Sequence, residues 1–203
     1  KLIEAGQVKV NGQVALVGTK VSAADHVEVA GKPLQNKPKR VYLAYHKPVG
    51  ITCTTELQIK GNIVDAVNYP ERIFPIGRLD KESEGLIFLT NDGDIVNKIL
   101  RAGNAHDKEY VVTVDKPIHD GFIRKMAAGV PILDTVTLPC QVTQKSRHTF
   151  NIILRQGLNR QIRRMTEYLG FNVTKLKRVR IMHVRLAGLA VGQWRELTAE
   201  EMT

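Results

Sequence analysis

Apolar positions along the chain recur mostly at every second residue. They predict strands at 41–46 (VYLAYH), 72–76 (RIFPI), 86–90 (LIFLT), 109–115 (EYVVTVD), 149–155 (TFNIILR), 173–179 (VTKLKRV), 183–187 (HVRLA) and 193–197 (QWREL). Helical spacing is expected at 93–102, 118–128 and 159–169. In the last of these, Leu158, Ile162, Met165 and Leu169 form one stripe and Gly170 stands where a left-handed cap belongs. Its other face carries Arg160, Arg163, Arg164 and Glu167. Strands outnumber helices and do not alternate with them regularly. The expected class is therefore α+β, a mixed and largely antiparallel sheet flanked by helices. No repeat of 20–50 residues and no low-complexity tract interrupts it.

The first 31 residues read as a small unit of their own. Residues 2–5 are expected to finish a helix that Gly6 ends. Val8-Lys9-Val10 then alternates into an Asn11-Gly12 turn, followed by strands at 14–17 and 26–29. The segment GKPLQNKPKR, 31–40, combines Gly, two prolines and four basic residues and reads as a linker. This divides the chain into 1–36, a small module with its linker, and 37–203. The start at Lys1, with neither initiator Met nor a signal-peptide layout, reads as a chain lacking its native N-terminus.

Charge changes the picture more than composition does. The net charge is +10. Residues 141–190 hold 11 Lys or Arg against one acid, Glu167, which leaves 19 basic and 19 acidic residues elsewhere. Such confinement points to a polyanion-binding face, with a merely solvated basic surface as the competing reading. Acidic lipid is a weaker partner, since no long amphipathic helix accompanies the charge and no apolar run is long enough to span a bilayer. Cys53 and Cys140 are isolated from each other, and the six histidines are scattered rather than set at ligand spacing. No metal site is expected, and the thiols read as small core residues of a reduced, cytoplasmic protein.

The densest chemical signal is PIGRLDKESEGLIFLTNDGD, residues 75–94. A strand enters Gly77, a turn presents Arg78, Leu79 and Asp80, and an apolar strand follows. Asp80, Glu82 and Glu84 lie within five residues, on a loop that two strands can hold rigid. By composition alone, an acidic turn of this kind is more often just solvated.

This block closely resembles the catalytic segment of pseudouridine synthases, whose hallmark is a G-R-L-D loop. It is most similar to the small bacterial group that modifies ribosomal RNA and carries an S4-type RNA-binding module. Further segments agree in order: Lys47-Pro48-x-Gly50, Lys108-Glu109-Tyr110, GLNRQIRRM at 157–165, and the closing stretch 173–197. Residues 3–29 resemble the second half of an S4 module, whose opening helix and Ser-Arg-Arg-Glu-type segment are not found here. His46 stands where relatives often have Asn.

The resemblance implies an enzyme that isomerises uridine to pseudouridine in structured RNA, with 23S ribosomal RNA foremost and transfer RNA a further candidate. It implies no cofactor, in keeping with a sequence that has no P-loop or dinucleotide fingerprint. Asp80 would be the essential carboxylate, as nucleophile or as base. Tyr110 would stack on the target base, and Arg163 would pair with Asp80 through its guanidinium fork. Leu176 would pack against the uracil. Arg78, Arg160, Arg164, Lys177 and Arg178 are expected to hold the surrounding RNA. Lys9, Asn11 and Lys20 are expected to serve the N-terminal module. On pattern alone Tyr110 reads first as a half-buried core residue, which the resemblance reverses, and Leu176 reads almost as readily as an ordinary core strand residue. A monomer is the default. Two other classes compete: a non-catalytic S4-type RNA-binding protein with a degenerate enzyme domain, and a glycoside hydrolase pairing Asp80 with Glu82 or Glu84.

Overall fold

The computed structural model describes residues 1–22, 24–34, 39–102 and 106–202, with only the backbone of 99–102. They fall into two compact units, Lys1–Lys39 and Arg40–Thr203.

The first unit is a four-stranded antiparallel sheet. Its strands are β1 (Val8–Val10), β2 (Gln13–Val14), β3 (Val27–Val29) and β4 (Lys32–Pro33), in the order β2-β1-β3-β4. Asn11 and Gly12 both adopt positive φ, as a two-residue hairpin turn requires. The helix end expected at 2–5 is instead a run of turns, with one i→i−4 bond from Ala5 N–H to the Lys1 carbonyl. Pairing of the second strand stops at Val14, and Leu16 and Val17 are exposed. Lys32–Pro33 pairs with β3, so the segment read as linker begins as an edge strand, where a proline is tolerated. Residues 35–38 of that segment lie outside the described residues.

The second unit is built on one mixed sheet. Chain order is β5 (Tyr42–Lys47), α1 (Ile63–Val67), β6 (Phe74–Ile76), β7 (Glu84–Thr90), α2 (Gly93–Ala102), β8 (Lys108–Val114), α3 (Asp120–Ala128), β9 (Pro131–Ile132), β10 (Thr135–Val136), β11 (Gln141–Gln144), β12 (Thr149–Leu154), α4 (Gln161–Tyr168), β13 (Val173–Ile181), β14 (Val184–Arg185) and β15 (Trp194–Glu196). The sheet runs β11-β12-β8-β13-β7-β5-β15, with β6 on β7, β14 on β13, and β9 and β10 a separate hairpin. All pairs are antiparallel except β7 with β13. That parallel junction joins two halves, each with its own core. In one half, Val112, Phe150, Ile152 and Leu176 pack against Phe122 and Met126 of α3 and Ile162 and Met165 of α4. In the other, β5 and β7 bury Leu43, Tyr45, Ile87 and Leu89 with Ile63 of α1 on one face. Their opposite face buries Ala44, Leu86 and Phe88 against Ile181, Val184 and Leu186. Strand β7 is buried along its whole length, as a strand covered on both faces must be.

The helix expected at 93–102 is found with those bounds as α2, whereas the other two shorten at their caps. His119 accepts the Phe122 amide through Nδ1 at 3.0 Å, so α3 starts at Asp120. Arg160, in the left-handed region with φ +48, precedes α4. Helix α1 and strands β4, β9, β10 and β11 carry no periodic run long enough to announce them.

Candidate active site

Four consecutive carbonyls of the loop between β6 and β7 are each held from a different place. Arg178 Nη1 donates to the Arg78 carbonyl at 3.4 Å. Cys53 Sγ donates to that of Leu79 at 3.3 Å, and the Ser83 amide to that of Asp80 at 3.0 Å. The Lys81 carbonyl accepts from the Gly50 amide at 2.7 Å and from Lys47 Nζ at 3.4 Å. Lys47 and Arg178 are both buried cations flanking Gly85, which pairs with Lys47 on one side and Arg178 on the other. Burial pushes the Lys47 ammonium below its ordinary value, and Asp80 and Glu82 are among the charges that oppose this. The loop is thus fixed through its backbone, while the half-buried Asp80 carboxylate has no hydrogen bond or ion pair among the described residues.

Asp80 opens on a cavity of about 370 Å³. Its other walls come from Lys108 and Tyr110 on β8, Leu176 and Arg178 on β13, the turn 156–160, and Arg163 on α4. Asp80 is the cavity's one carboxylate among the described residues. Glu82 turns away to Arg160, both oxygens within 3.2 Å of Nη1. Glu84 is buried, 3.2 Å from His46 Nε2 and 3.4 Å from Lys175 Nζ, while His46 Nδ1 meets the Leu189 carbonyl at 2.9 Å. The second acid that a glycosidase needs is therefore not supplied from this loop.

Several expected contacts change. Arg163 does not pair with Asp80 in this geometry. Its Nη2 donates to Ser83 Oγ at 2.9 Å, and its buried Nε has no partner. Burial pushes the Arg163 guanidinium down, aided by Arg160 and opposed by Glu82 and Asp80. Arg164 folds back onto Asn159, at 2.9 Å to both its carbonyl and Oδ1, and does not line the cavity. Lys177 also lies off the cavity, because it alternates with Leu176 and Arg178 on β13. Arg178 is 4% exposed and donates from Nε to the Leu86 carbonyl at 2.7 Å, so it braces the loop rather than offering a surface cation. Arg78 is exposed at the cavity rim. Leu176 and Tyr110 serve both readings, lining the cavity and packing on the core beneath it. In the first unit Lys9 and Lys20 are exposed. Asn11 is engaged internally: Nδ2 donates to Asp25 and Oδ1 accepts the His26 amide, which ties the hairpin turn to β3.

The sequence reading missed Ser83, Lys108, Gln156 and Asn159 as cavity residues. Ser83 and Lys108 lie inside the quoted motifs, and strand alternation puts Lys108 on the same face as Tyr110. The basic quarter also looks different in space. Arg155, Arg160, Lys175 and Arg180 form ion pairs with Asp107, Glu82, Glu84 and Glu109, acids contributed from outside 141–190.

The sequence profile of the RNA pseudouridylate synthase family matches residues 41–168, a span that includes the Asp80 loop, β8 and the whole of α4. The chain belongs to the RNA pseudouridine synthase family. This synthase is 58% identical to the dual-specificity RNA pseudouridine synthase RluF of Salmonella typhi and 56% identical to that of Escherichia coli K12. Both alignments take in the whole chain, and 71% and 70% of those proteins. It is 36% identical to ribosomal large subunit pseudouridine synthase B of Bacillus subtilis, again over the whole chain and 86% of the relative. A crystal structure of a pseudouridylate synthase superimposes with a TM-score of 0.74 at 26% identity, covering 99% of this chain and 89% of the other. These likenesses agree with the resemblance seen in the motifs, which within the group is greatest to subgroup F and next to B. The synthase is an isomerase of RNA uridine, and its α+β fold is that of its family. Among its described residues no His, Cys, Asp or Glu cluster is arranged for a metal, and no helix is long and apolar enough to cross a membrane.

Proposed function

We propose that the synthase converts a uridine of 23S ribosomal RNA, and one of transfer RNA, to pseudouridine in the cavity at Asp80. The observation that carries this reading is convergence. Asp80, Tyr110, Arg163 and Leu176 come from a loop, two strands and a helix far apart in sequence, and they line one cavity with a single carboxylate. Asp80 acts on the ribose, either at C1′ as nucleophile or as the base that yields a glycal. The N1–C1′ bond breaks with its electron pair going to the base, the base turns, and C5 bonds to C1′. One proton leaves C5 and one is gained at N1, so the reaction balances without an external group and calls for no cofactor.

Tyr110 stacks on the base and Leu176 packs beside it. Arg163, steadied by Ser83, turns its unpartnered Nε toward the substrate or Asp80 once RNA fills the cavity. A base in folded RNA must leave its stack to arrive there. Arg78 at the rim is placed to meet a flanking phosphate. The first unit acts as an S4-like module, with Lys9 and Lys20 on structured RNA away from the target. The protein works as a monomer in the cytoplasm. The decisive experiment incubates it with 23S ribosomal RNA and transfer RNA transcripts and measures pseudouridine by mass spectrometry, beside an Asp80→Asn control. Pseudouridine in neither RNA, from a folded protein, would overturn the proposal.

A further inference from the structure

Lys108 is a lysine in an interior strand of the sheet, between Leu154 of β12 and Ile181 of β13. It is half-buried, and alternation places it with Tyr110 on the cavity side of β8. The acids on either side are already taken. Asp107 accepts from Arg155 Nε at 2.7 Å, and Glu109 pairs with Arg180 at 3.2 Å and accepts from Asn151. Among the described residues the Lys108 ammonium has no hydrogen bond or ion pair. The charge that registers most at its ammonium is a like one, Arg178, which adds to the downward push of burial. An amine drawn into a sheet beside another cation, with no counter-ion, costs stability. It persists at small cost only if something brings the anion.

We propose that the anion is the target base itself, and that Lys108 is a catalytic residue holding the detached uracil as it turns. This inference rests on the reading of the cavity given above. When the N1–C1′ bond breaks, the bonding pair stays on the base and a uracil anion forms, its charge spread over N1, O2 and O4. That charge exists only between departure and reattachment. An ammonium aimed at it therefore stabilises the intermediate and the flanking transition states more than substrate or product, which is what accelerates turnover. Lysine suits a moving target. Its head is a compact charge with rotatable donors, able to follow a carbonyl as the ring turns over Tyr110, whereas an arginine fork would hold one orientation. When C5 bonds to C1′ the charge is consumed, the C5 proton departs, N1 regains one, and Lys108 is again without a partner.

The test uses the full protein and a 23S ribosomal RNA fragment under single-turnover conditions. Lys108→Met and Lys108→Gln are expected to slow pseudouridine formation about a hundredfold. RNA dissociation constants should stay within about threefold, because the anion is absent from the ground state. Lys108→Arg should recover part of the rate. With 5-fluorouridine at the target position the departing anion is intrinsically more stable, so loss of the parent nucleoside should be slowed less by Lys108→Met than with uridine. Should the Met variant lack a normal thermal transition, the Gln variant, which keeps a polar head without the charge, gives the same comparison. Unchanged turnover overturns the proposal. So does weaker RNA binding with unaltered turnover, which would make Lys108 a phosphate contact, or an equal slowing with both bases. An active Asp80→Asn control would instead bring down the reading of the cavity.

Discussion

With the carbonyls of residues 78–81 anchored from four directions, a change confined to the Asp80 carboxylate leaves the backbone where it was. Asp80→Asn is therefore expected to abolish isomerisation while the RNA dissociation constant moves less than about threefold; turnover within about tenfold of the parent would remove Asp80 from the chemistry. Ser83 links two parts of the site, its amide to the Asp80 carbonyl and its hydroxyl to Arg163. A hydrogen bond to a charged group is worth about 1.5–3 kcal/mol. Ser83→Ala should therefore lower the single-turnover rate about tenfold to a hundredfold, and Ser83→Thr should restore most of it. Arg163→Lys should harm turnover more than Arg164→Lys, since Arg164 is spent on Asn159 outside the cavity. Equal kinetic losses would mean that α4 contributes charge alone. Much at this scale was readable from motifs, which placed Asp80, Tyr110, Arg163 and Leu176 together. The partner of Arg163 was not, because motif order names residues without saying which atoms meet.

At the scale of elements, the long periodic segments were legible and the short ones were not. Strands β8, β12 and β13 alternate over six to nine residues. Helix α1, with five, and the two-residue strands of the β9–β10 hairpin are too short to show a period, and no local pattern records which distant strands will meet. The parallel contact of β7 with β13 was invisible for the same reason, yet it decides the identity of Gly85. A Cβ built there would lie 2.2 Å from the Arg178 carbonyl oxygen, on a backbone with φ +124. Gly85→Ala must push the strands apart, and overpacking of this kind costs about 1–3 kcal/mol even before backbone strain. The melting temperature should fall by at least about 5 °C; an unchanged melting curve would show that the junction yields freely. The closing strand β15 is tied differently. Arg195 donates to both Glu201 oxygens at 2.6 and 2.8 Å, which holds that carboxyl down to about 2 from an ordinary 4.5. A carboxyl depressed in the folded state stabilises fully above its unfolded value and loses that contribution as pH falls through its folded one. The melting-temperature gap between the parent and Glu201→Gln should be open at pH 7 and close between about pH 4.5 and 2.

For the whole molecule, the basic quarter carries fewer unpaired charges than its sequence suggests. Four of its cations are paired with acids from elsewhere, Arg178 is interior, and Arg163 and Arg164 are engaged by Ser83 and Asn159, which leaves Lys145, Arg147, Lys177 and Arg185 as the candidates for phosphate contact. Replacing those four with Gln should flatten the logarithmic salt dependence of RNA binding, by up to about three in slope if all four touch phosphate. An unaltered slope would assign the grip to other residues. Sequence neighbourhood misled here because the neutralising acids sit on β7, on β8 and just before it, and on the Asp80 loop. The parallel junction has one more consequence, in time rather than in space. Residues 84 and 85 meet 177 and 178, so the brace from Arg178 to the Asp80 loop cannot exist during synthesis until about ninety further residues beyond β7 have emerged. The two halves can each collapse early around their own apolar cores, but competence to act on RNA arrives only with β13. A ribosome-bound chain stalled before residue 173 should therefore already resist proteolysis across 41–90 and yet form no pseudouridine.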